Sequence, residues 1–314
     1  MKRIWALLLA GLVLLSLGPV SALAAEADVR IDSVEDFVRF ADACALEEYS
    51  AGRTFSLTAD LDLSNTGFTA VPYFAGTFKG NGHVILGLTL TAEGSRQGLF
   101  RQLGEGAVVR NLYVKGTVAP GGSRCYVGGI AGVNRGSIQS CSFEGRVAGL
   151  DFVGGIAGEN TETGSLRDCV FRGSAEGEHQ VGGIVGSNRG QVSNCTNNGA
   201  VNTVEITPSG ESRFDLASLT VDDFLDLANI GGIAGDNESL LLNCRNNGDV
   251  GYRYTGYNVG GVAGKSAGFL SGCSSYGSIK GRRDVGGIAG QLIPYAAWDL
   301  SDGKLDALSA EMAP

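Results

Sequence analysis

V-G-G-I-A-G at Val127–Gly132 returns letter for letter at Val153–Gly158 and Val285–Gly290. With one apolar substitution it recurs as V-G-G-I-V-G (Val181–Gly186), I-G-G-I-A-G (Ile230–Gly235) and V-G-G-V-A-G (Val259–Gly264). Glycine loses more backbone freedom on folding than any other residue, so three glycines in six residues, six times over, need a structural return. The first glycine of each doublet sits at 128, 154, 182, 231, 260 and 286, in steps of 26, 28, 49, 29 and 26. Repetition at such a period marks stacked units that bury a continuous core only together.

A second constant pattern follows each doublet: I-Q-S-C-S-F-E-G (Ile138–Gly145), L-R-D-C-V-F-R-G (Leu166–Gly173), V-S-N-C-T-N-N-G (Val192–Gly199), L-L-N-C-R-N-N-G (Leu241–Gly248) and L-S-G-C-S-S-Y-G (Leu270–Gly277). Each unit thus holds three short apolar segments between Gly, Asn and Asp, and none keeps a 3.6-residue apolar period for more than a turn. Strands fit better than helices. The expected fold is an all-β, right-handed parallel β-helix of about eight three-strand rungs, with a β-sandwich as the structural alternative. Val127 and Ile130 would alternate to opposite faces in a straight strand, so a bend at Gly128-Gly129 is expected to turn both inward. Glycine's access to positive φ and its missing Cβ are the two reasons to place it there.

The N-terminus reads M-K-R, an apolar run from Ile4 to Leu17, then Ala22-Leu23-Ala24, the form of a secretory signal over residues 1–24. That run is shorter than the roughly 20 residues a bilayer core requires, and no transmembrane segment is expected in the mature chain. Residues 25–50 read as an N-terminal capping helix, started by Ser33 with Asp36 and carrying Val34, Phe37, Val38, Ala41 and Cys44 on one face. The solenoid is assigned to 51–292, with an inserted loop or helix at 203–229, and 293–314 to a C-terminal tail or cap. Within the insert, Thr220 with Asp223 is expected to start a short helix over Thr220–Leu227.

The chain carries 24 Lys and Arg against 33 Asp and Glu, for a net charge of −9. No clustered basic face for phosphate is legible, which excludes nucleic acid as a partner. Five of the seven cysteines (Cys141, Cys169, Cys195, Cys244, Cys273) share one repeat position. Stacked in register at about 4.8 Å, their Cβ atoms are too far apart for bridges, which want about 3.8 Å; a buried column of free thiols is expected. Asn134, Asn160, Asn188 and Asn237 form a second column, read as an amide ladder.

Gly98-Leu99-Phe100 and the six doublets resemble the GLUG-motif repeats of secreted bacterial surface proteins, and the stretches Leu57–Leu63 and Phe74–Ile85 ahead of them look like the entry segment that commonly precedes such solenoids. The resemblance spans roughly Gly98–Gly290, with Gly-Ile or Gly-Val usually standing where the motif's name expects Gly-Leu. It implies a repeat module of adhesin-like proteins, also found beside some surface proteases, and transfers no catalytic residue. A secreted, extracellular protein, with the cell surface as one destination, is the corresponding localisation.

No nucleophile–base–acid motif, phosphate loop, metal-ligand spacing or cofactor signature is present. Residues following the motif isoleucine (Ala131, Ala157, Val185, Ala234, Ala263, Ala289) read as a small, inert outward column without the carboxylates a β-helical lyase or glycosidase needs. The spacing from the second-pattern glycine to the next doublet varies (8, 8, 31, 11 and 8 residues), which gathers insertions on one edge, the usual place for a binding face. The tentative ligand-binding residues there are Tyr126, Phe152, His179, Tyr252, Arg253, Tyr254, Tyr257, Arg282, Arg283 and Asp284. The expected function is adhesion or ligand binding, to a glycan or a surface protein, without catalysis. A carbohydrate-active β-helix enzyme and a purely structural spacer are the alternatives.

Overall fold

The computed structural model describes residues 28–122, 124–204 and 227–294. The expected leader at 1–24, most of the 203–229 insert with the helix expected in it, and nearly all of the 293–314 tail lie outside the described residues. Within them the chain winds into an all-β parallel solenoid of about nine turns with few helices.

One turn shows the plan. Strand β1 (Asp151–Gly154) leads to β2 (Ala157–Asn160), β3 (Ser165–Arg167) and β4 (Val170–Glu176), each pairing in parallel with its counterpart one turn on: Val153 with Val181, Asn160 with Asn188, Leu166 with Val192, Val170 with Thr196. The four series build four sheets of six, seven, nine and nine strands. Three strands per rung was the expectation; the residues ahead of the doublet form a separate short strand because the doublet is itself a corner. The nine-stranded sheet containing β3 also exceeds the expected eight rungs. Its first member, Val29–Ile31, precedes the helix and already pairs with Thr54–Leu57.

The doublet glycines do not adopt positive φ. That conformation falls instead on the residue just before each doublet's valine or isoleucine: Tyr126, Phe152, Gln180, Asn229, Asn258 and Asp284 have φ between 49° and 60°. A second left-handed column, Ser140, Asp168, Asn194 and Asn243, precedes the cysteines, with Asn111 in the same position before Leu112. What the doublets supply is the absence of Cβ. A Cβ on Gly154 would collide with the Ala157 carbonyl oxygen and lie 2.7 Å from Val185 Cα; one on Gly155 would enter the Phe171 ring and the Gly183 carbonyl. Backbone therefore packs directly on backbone between β1 and the β2 equivalent of the next turn. Because this corner folds so tightly, Ala131, Ala157, Val185, Ala234 and Ala263 are fully buried. The column expected to face outward belongs to the core.

Inside, Val, Ile and Leu stack on like residues. Phe143 and Phe171 stack with centroids 6.4 Å apart, and from the next turn onward Asn197, Asn246 and Ser275 take that position. The Asn134 column is a continuous amide ladder. Each Nδ2 donates to the next Oδ1 at 2.8–2.9 Å through Asn160, Asn188 and Asn237, and Asn237 donates to Ser266 Oγ at 3.0 Å. Asn197 and Asn246 make a second ladder, 2.8 Å apart at the amides, each also closing onto the glycine two residues on. A buried amide unable to find such partners would cost about 1–3 kcal/mol, so the stack itself makes these residues tolerable inside.

The front end is covered by α1 (Val34–Ala43), capped by Ser33, whose Oγ accepts from the Asp36 amide at 3.1 Å. Phe37 and Phe40 insert among Phe55, Phe74 and Phe78, with centroids 4.7–6.2 Å apart. The hydrogen bond from Ser33 and the neighbouring Arg39 guanidinium pull the Asp36 carboxyl down to about 2.

Two tests follow from this geometry. Gly154→Ala should lower stability by about 3 kcal/mol, the upper range for forcing a methyl into filled space. Gly287→Ala, whose Cβ would meet nothing within 4 Å, should stay within about 0.5 kcal/mol of wild type; urea unfolding of both variants reads the difference. Because its folded pKa is depressed, Asp36 stabilises α1 above the ordinary carboxylate pKa, and that contribution is lost as pH falls towards 2. Protection factors of the α1 amides, which divide out the intrinsic pH dependence of exchange, should fall over that window in wild type and be already reduced at neutral pH in Asp36→Ala.

Candidate ligand-binding edge

The connections from each β4 equivalent to the next β1 emerge in line, because the strands on either side are held in register. This edge carries all ten residues singled out from the sequence, in two groups separated along the axis.

In the front group, Tyr126 and Phe152 occupy equivalent left-handed corners, with rings 4.6 Å apart and 2° from parallel. That separation is the turn spacing itself, so each ring covers a face of the other and the pair is a rung-to-rung ladder. One residue earlier, Asp151 binds two neighbours. Its Oδ1 lies 2.7 Å from His179 Nδ1 on the following turn, and its Oδ2 accepts from the Cys125 thiol of the preceding turn at 3.3 Å. The carboxylate thus links the thiol of one turn to the imidazole two turns on. Burial and the Asp151 carboxylate push the Cys125 thiol up. His83, outside this edge, is likewise paired with an aspartate, its Nδ1 3.0 Å from Asp60.

Beside this group lies a cleft of about 210 Å³ that includes Arg124, Arg146, Glu176, Glu178, Asn202 and Tyr252 in its lining. Arg146 holds Glu176 through two nitrogens at 2.7–3.4 Å, and Ser174 Oγ donates to the same carboxylate at 2.9 Å. Asn202 braces the floor, its amide both accepting from and donating to the Gly177 backbone at 2.9 Å. Val204 and Leu227, the two described ends of the insert, complete the apolar wall. Of these residues only Tyr252 was legible as a site residue. Arg146 and Glu176 lie within a repeating strand, and only register shows that they meet.

In the back group, Arg253 and Tyr254 line a second cleft of about 300 Å³ with Ile279, Lys280, Gly281 and Val285. The Arg282 guanidinium lies 5.7 Å from the Tyr257 ring centroid, and Arg283 Nε is 3.7 Å from Asp284. Tyr254 is 84% exposed.

All seven cysteines are free. The column thiols donate to the carbonyl two residues back, from Gln139 (3.2 Å) to Ser271 (3.5 Å), and burial pushes Cys141 and Cys195 well up and Cys44 to about 12. Among the described residues no group of three His, Cys, Asp or Glu is placed to hold a metal ion, and no helix is long and apolar enough to cross a membrane. Thiolate being the reactive form, iodoacetamide at pH 8 should label Cys125 and Cys273 slowly and Cys44, Cys141, Cys169, Cys195 and Cys244 only after denaturation. Asp151→Asn should speed Cys125 labelling; mass mapping of the alkylated peptides reads both.

Comparison with known proteins places this geometry. Halomucin of Haloquadratum walsbyi is 32% identical over 147 residues, 41% of this chain and 2% of halomucin. A crystal structure of a candidate immunoglobulin A1 protease from Bacteroides ovatus superposes with a TM-score of 0.54 over 85% of this chain and 84% of that one, at 18% identity, a likeness of fold alone. The GLUG motif matches residues 177–202, the turn that contributes Glu178, His179 and Asn202 to this edge. The chain is thus a β-solenoid that carries the GLUG motif in one turn and repeats its register in the turns around it.

Proposed function

We propose that this protein is an exported, non-catalytic binding module that holds a carbohydrate on its loop edge, its coil winding right-handed as parallel β-crossovers do. The observation that carries the reading is the cleft at the base of the insert. It combines an aromatic wall, Tyr252, with the Arg146–Glu176 pair, the Arg124 guanidinium and the Glu178 carboxylate. Sugars present apolar C–H faces and a rim of hydroxyls that both donate and accept. A tyrosine ring suits the first, and fixed guanidinium and carboxylate groups suit the second. Rigid neighbouring turns position these groups in advance, which lowers the ordering cost of binding.

A glycosidase reading would enlist Glu176 and Glu178. Hydrolysis requires one carboxyl to carry a proton to the leaving oxygen, a role that does not suit Glu176, held as an acceptor by Arg146 and Ser174. The protease reading suggested by the Bacteroides ovatus neighbour lacks a thiol or hydroxyl in contact with the His179 imidazole among the described residues. The leader at residues 1–24 supports export, and the resemblance to adhesin-like repeats supports a role outside the cell.

On a broad glycan array, wild type should be retained on at least one class of sugar, and the double variant Arg124→Ala/Tyr252→Ala should lose at least tenfold in affinity with an unchanged melting temperature. Wild-type protein bound to no glycan, or release of reducing or unsaturated sugar from any polysaccharide, would overturn the reading.

A further inference from the structure

The back group concentrates positive charge in two adjacent loops. On a chain of net charge −9, the two loops at 252–257 and 280–284 bring together Arg253, Lys280, Arg282 and Arg283 against the single carboxylate of Asp284. Several cations on the preceding turns are matched to an acid on an adjacent turn: Lys115 to Glu144 at 3.2 Å, Arg146 to Glu176 at 2.7 Å, Lys265 to Asp236 at 3.3 Å. Here Arg283 has the Asp284 carboxylate, while among the described residues Arg253, Lys280 and Arg282 have no carboxylate within ion-pair distance. Asp249, which leads into the first of these loops, is engaged by the Ser278 amide at 2.8 Å.

The cluster is built on a fixed frame. Lys280 N donates to Val250 O at 2.9 Å, and Arg282 N and Arg283 N donate to Gly256 O at 3.0 and 3.3 Å, which ties the second loop to the first. Tyr254, 84% exposed, sits at φ 60°, a conformation that a bulky residue adopts only where its surroundings impose it. Its ring is therefore presented to solvent beside the 300 Å³ cleft that Arg253 and Lys280 line. Arg282 lies over the Tyr257 ring and is itself exposed.

We infer that this cluster recognises an acidic polysaccharide, its carboxylate or sulfate groups meeting Arg253, Lys280 and Arg282 while Tyr254 packs against a sugar ring. The inference rests on the reading of the loop edge as a carbohydrate site and names the class of sugar. Cations that project from successive turns about 4.8 Å apart match the repeat of an extended polysaccharide, so consecutive acidic residues of one chain can meet consecutive turns. Unpaired guanidinium and ammonium groups bind such anions strongly, guanidinium in a bidentate fashion. Their concentration on one edge of an otherwise acidic protein orients the approach of a polyanion.

The test uses the full chain immobilised at equal density, with polygalacturonate, dextran sulfate, uncharged dextran, polyglutamate and single-stranded DNA as probes. Expected is at least tenfold tighter binding to polygalacturonate or dextran sulfate than to dextran, weakening about tenfold as sodium chloride rises from 0.05 to 0.5 M, since exposed charges are screened over that range. The tighter of the two identifies the acid group. Arg253→Ser/Lys280→Ser should remove the preference at unchanged melting temperature, and Arg253→Lys/Lys280→Arg should restore most of it. Neutral glycans bound as well as acidic ones, without salt dependence, would overturn this inference and leave the carbohydrate-binding edge standing. Binding to no glycan would overturn both, and equal binding to polyglutamate or DNA would show that charge alone is recognised and overturn the sugar assignment.

Discussion

The structure depends on one contact, the close approach of backbone to backbone where each β1-type strand turns into β2. Gly154 leaves no room for even a methyl group between itself, Ala157 and the Val185 backbone of the following turn. That contact sets the distance between two of the four sheets, and through it the cross-section of every turn. A cross-section held constant is what allows like side chains to meet along the axis. The left-handed corners at Phe152 and its equivalents then close the turn, and they fall on Asn and Asp as well as on larger residues because parallel pairing on both sides fixes their backbone.

Once the cross-section repeats, polar residues become usable inside. An isolated buried asparagine would leave donors and acceptors without partners, whereas Asn134, Asn160, Asn188 and Asn237 each find the next amide one turn away. The same logic governs the thiols, which bond to nearby carbonyls and remain unbridged because stacking fixes their separation. Going from front to back, the core changes from phenylalanine around α1 to asparagine at Asn197 and Asn246, with half-buried Ser275 continuing the column. The front turns rest on apolar burial, and the back turns rest more on ladders of hydrogen bonds.

The edge where loop length varies is free of these constraints, and chemistry accumulates there. Its features are still products of stacking. The Asp151–His179 contact, the Tyr126–Phe152 stack and the Arg146–Glu176 pair each join residues of equivalent or near-equivalent position on adjacent turns. Charge is balanced in the front cleft and predominantly positive at the back group, so one edge offers two chemically distinct surfaces along a single axis.

The repeat of V-G-G-I-A-G and of the cysteine octets determined the parallel stacking, the amide and thiol columns and the location of the variable edge, because in-register stacking converts sequence period directly into spatial neighbours. The helix at Ser33 was legible from its cap and apolar face. Four strands per turn, nine turns and the burial of Ala131 and its equivalents were not, since they follow from how sharply the doublet folds, and glycine is compatible with either a positive-φ bend or a tight contact. Only packing between adjacent turns decided in favour of the contact. Nor could letters show that Tyr126 and Phe152 cover one another while Tyr254 stands exposed, or that Arg146 meets Glu176. Those pairings link residues about one turn apart in sequence, and which faces meet is fixed by the three-dimensional path of the corners.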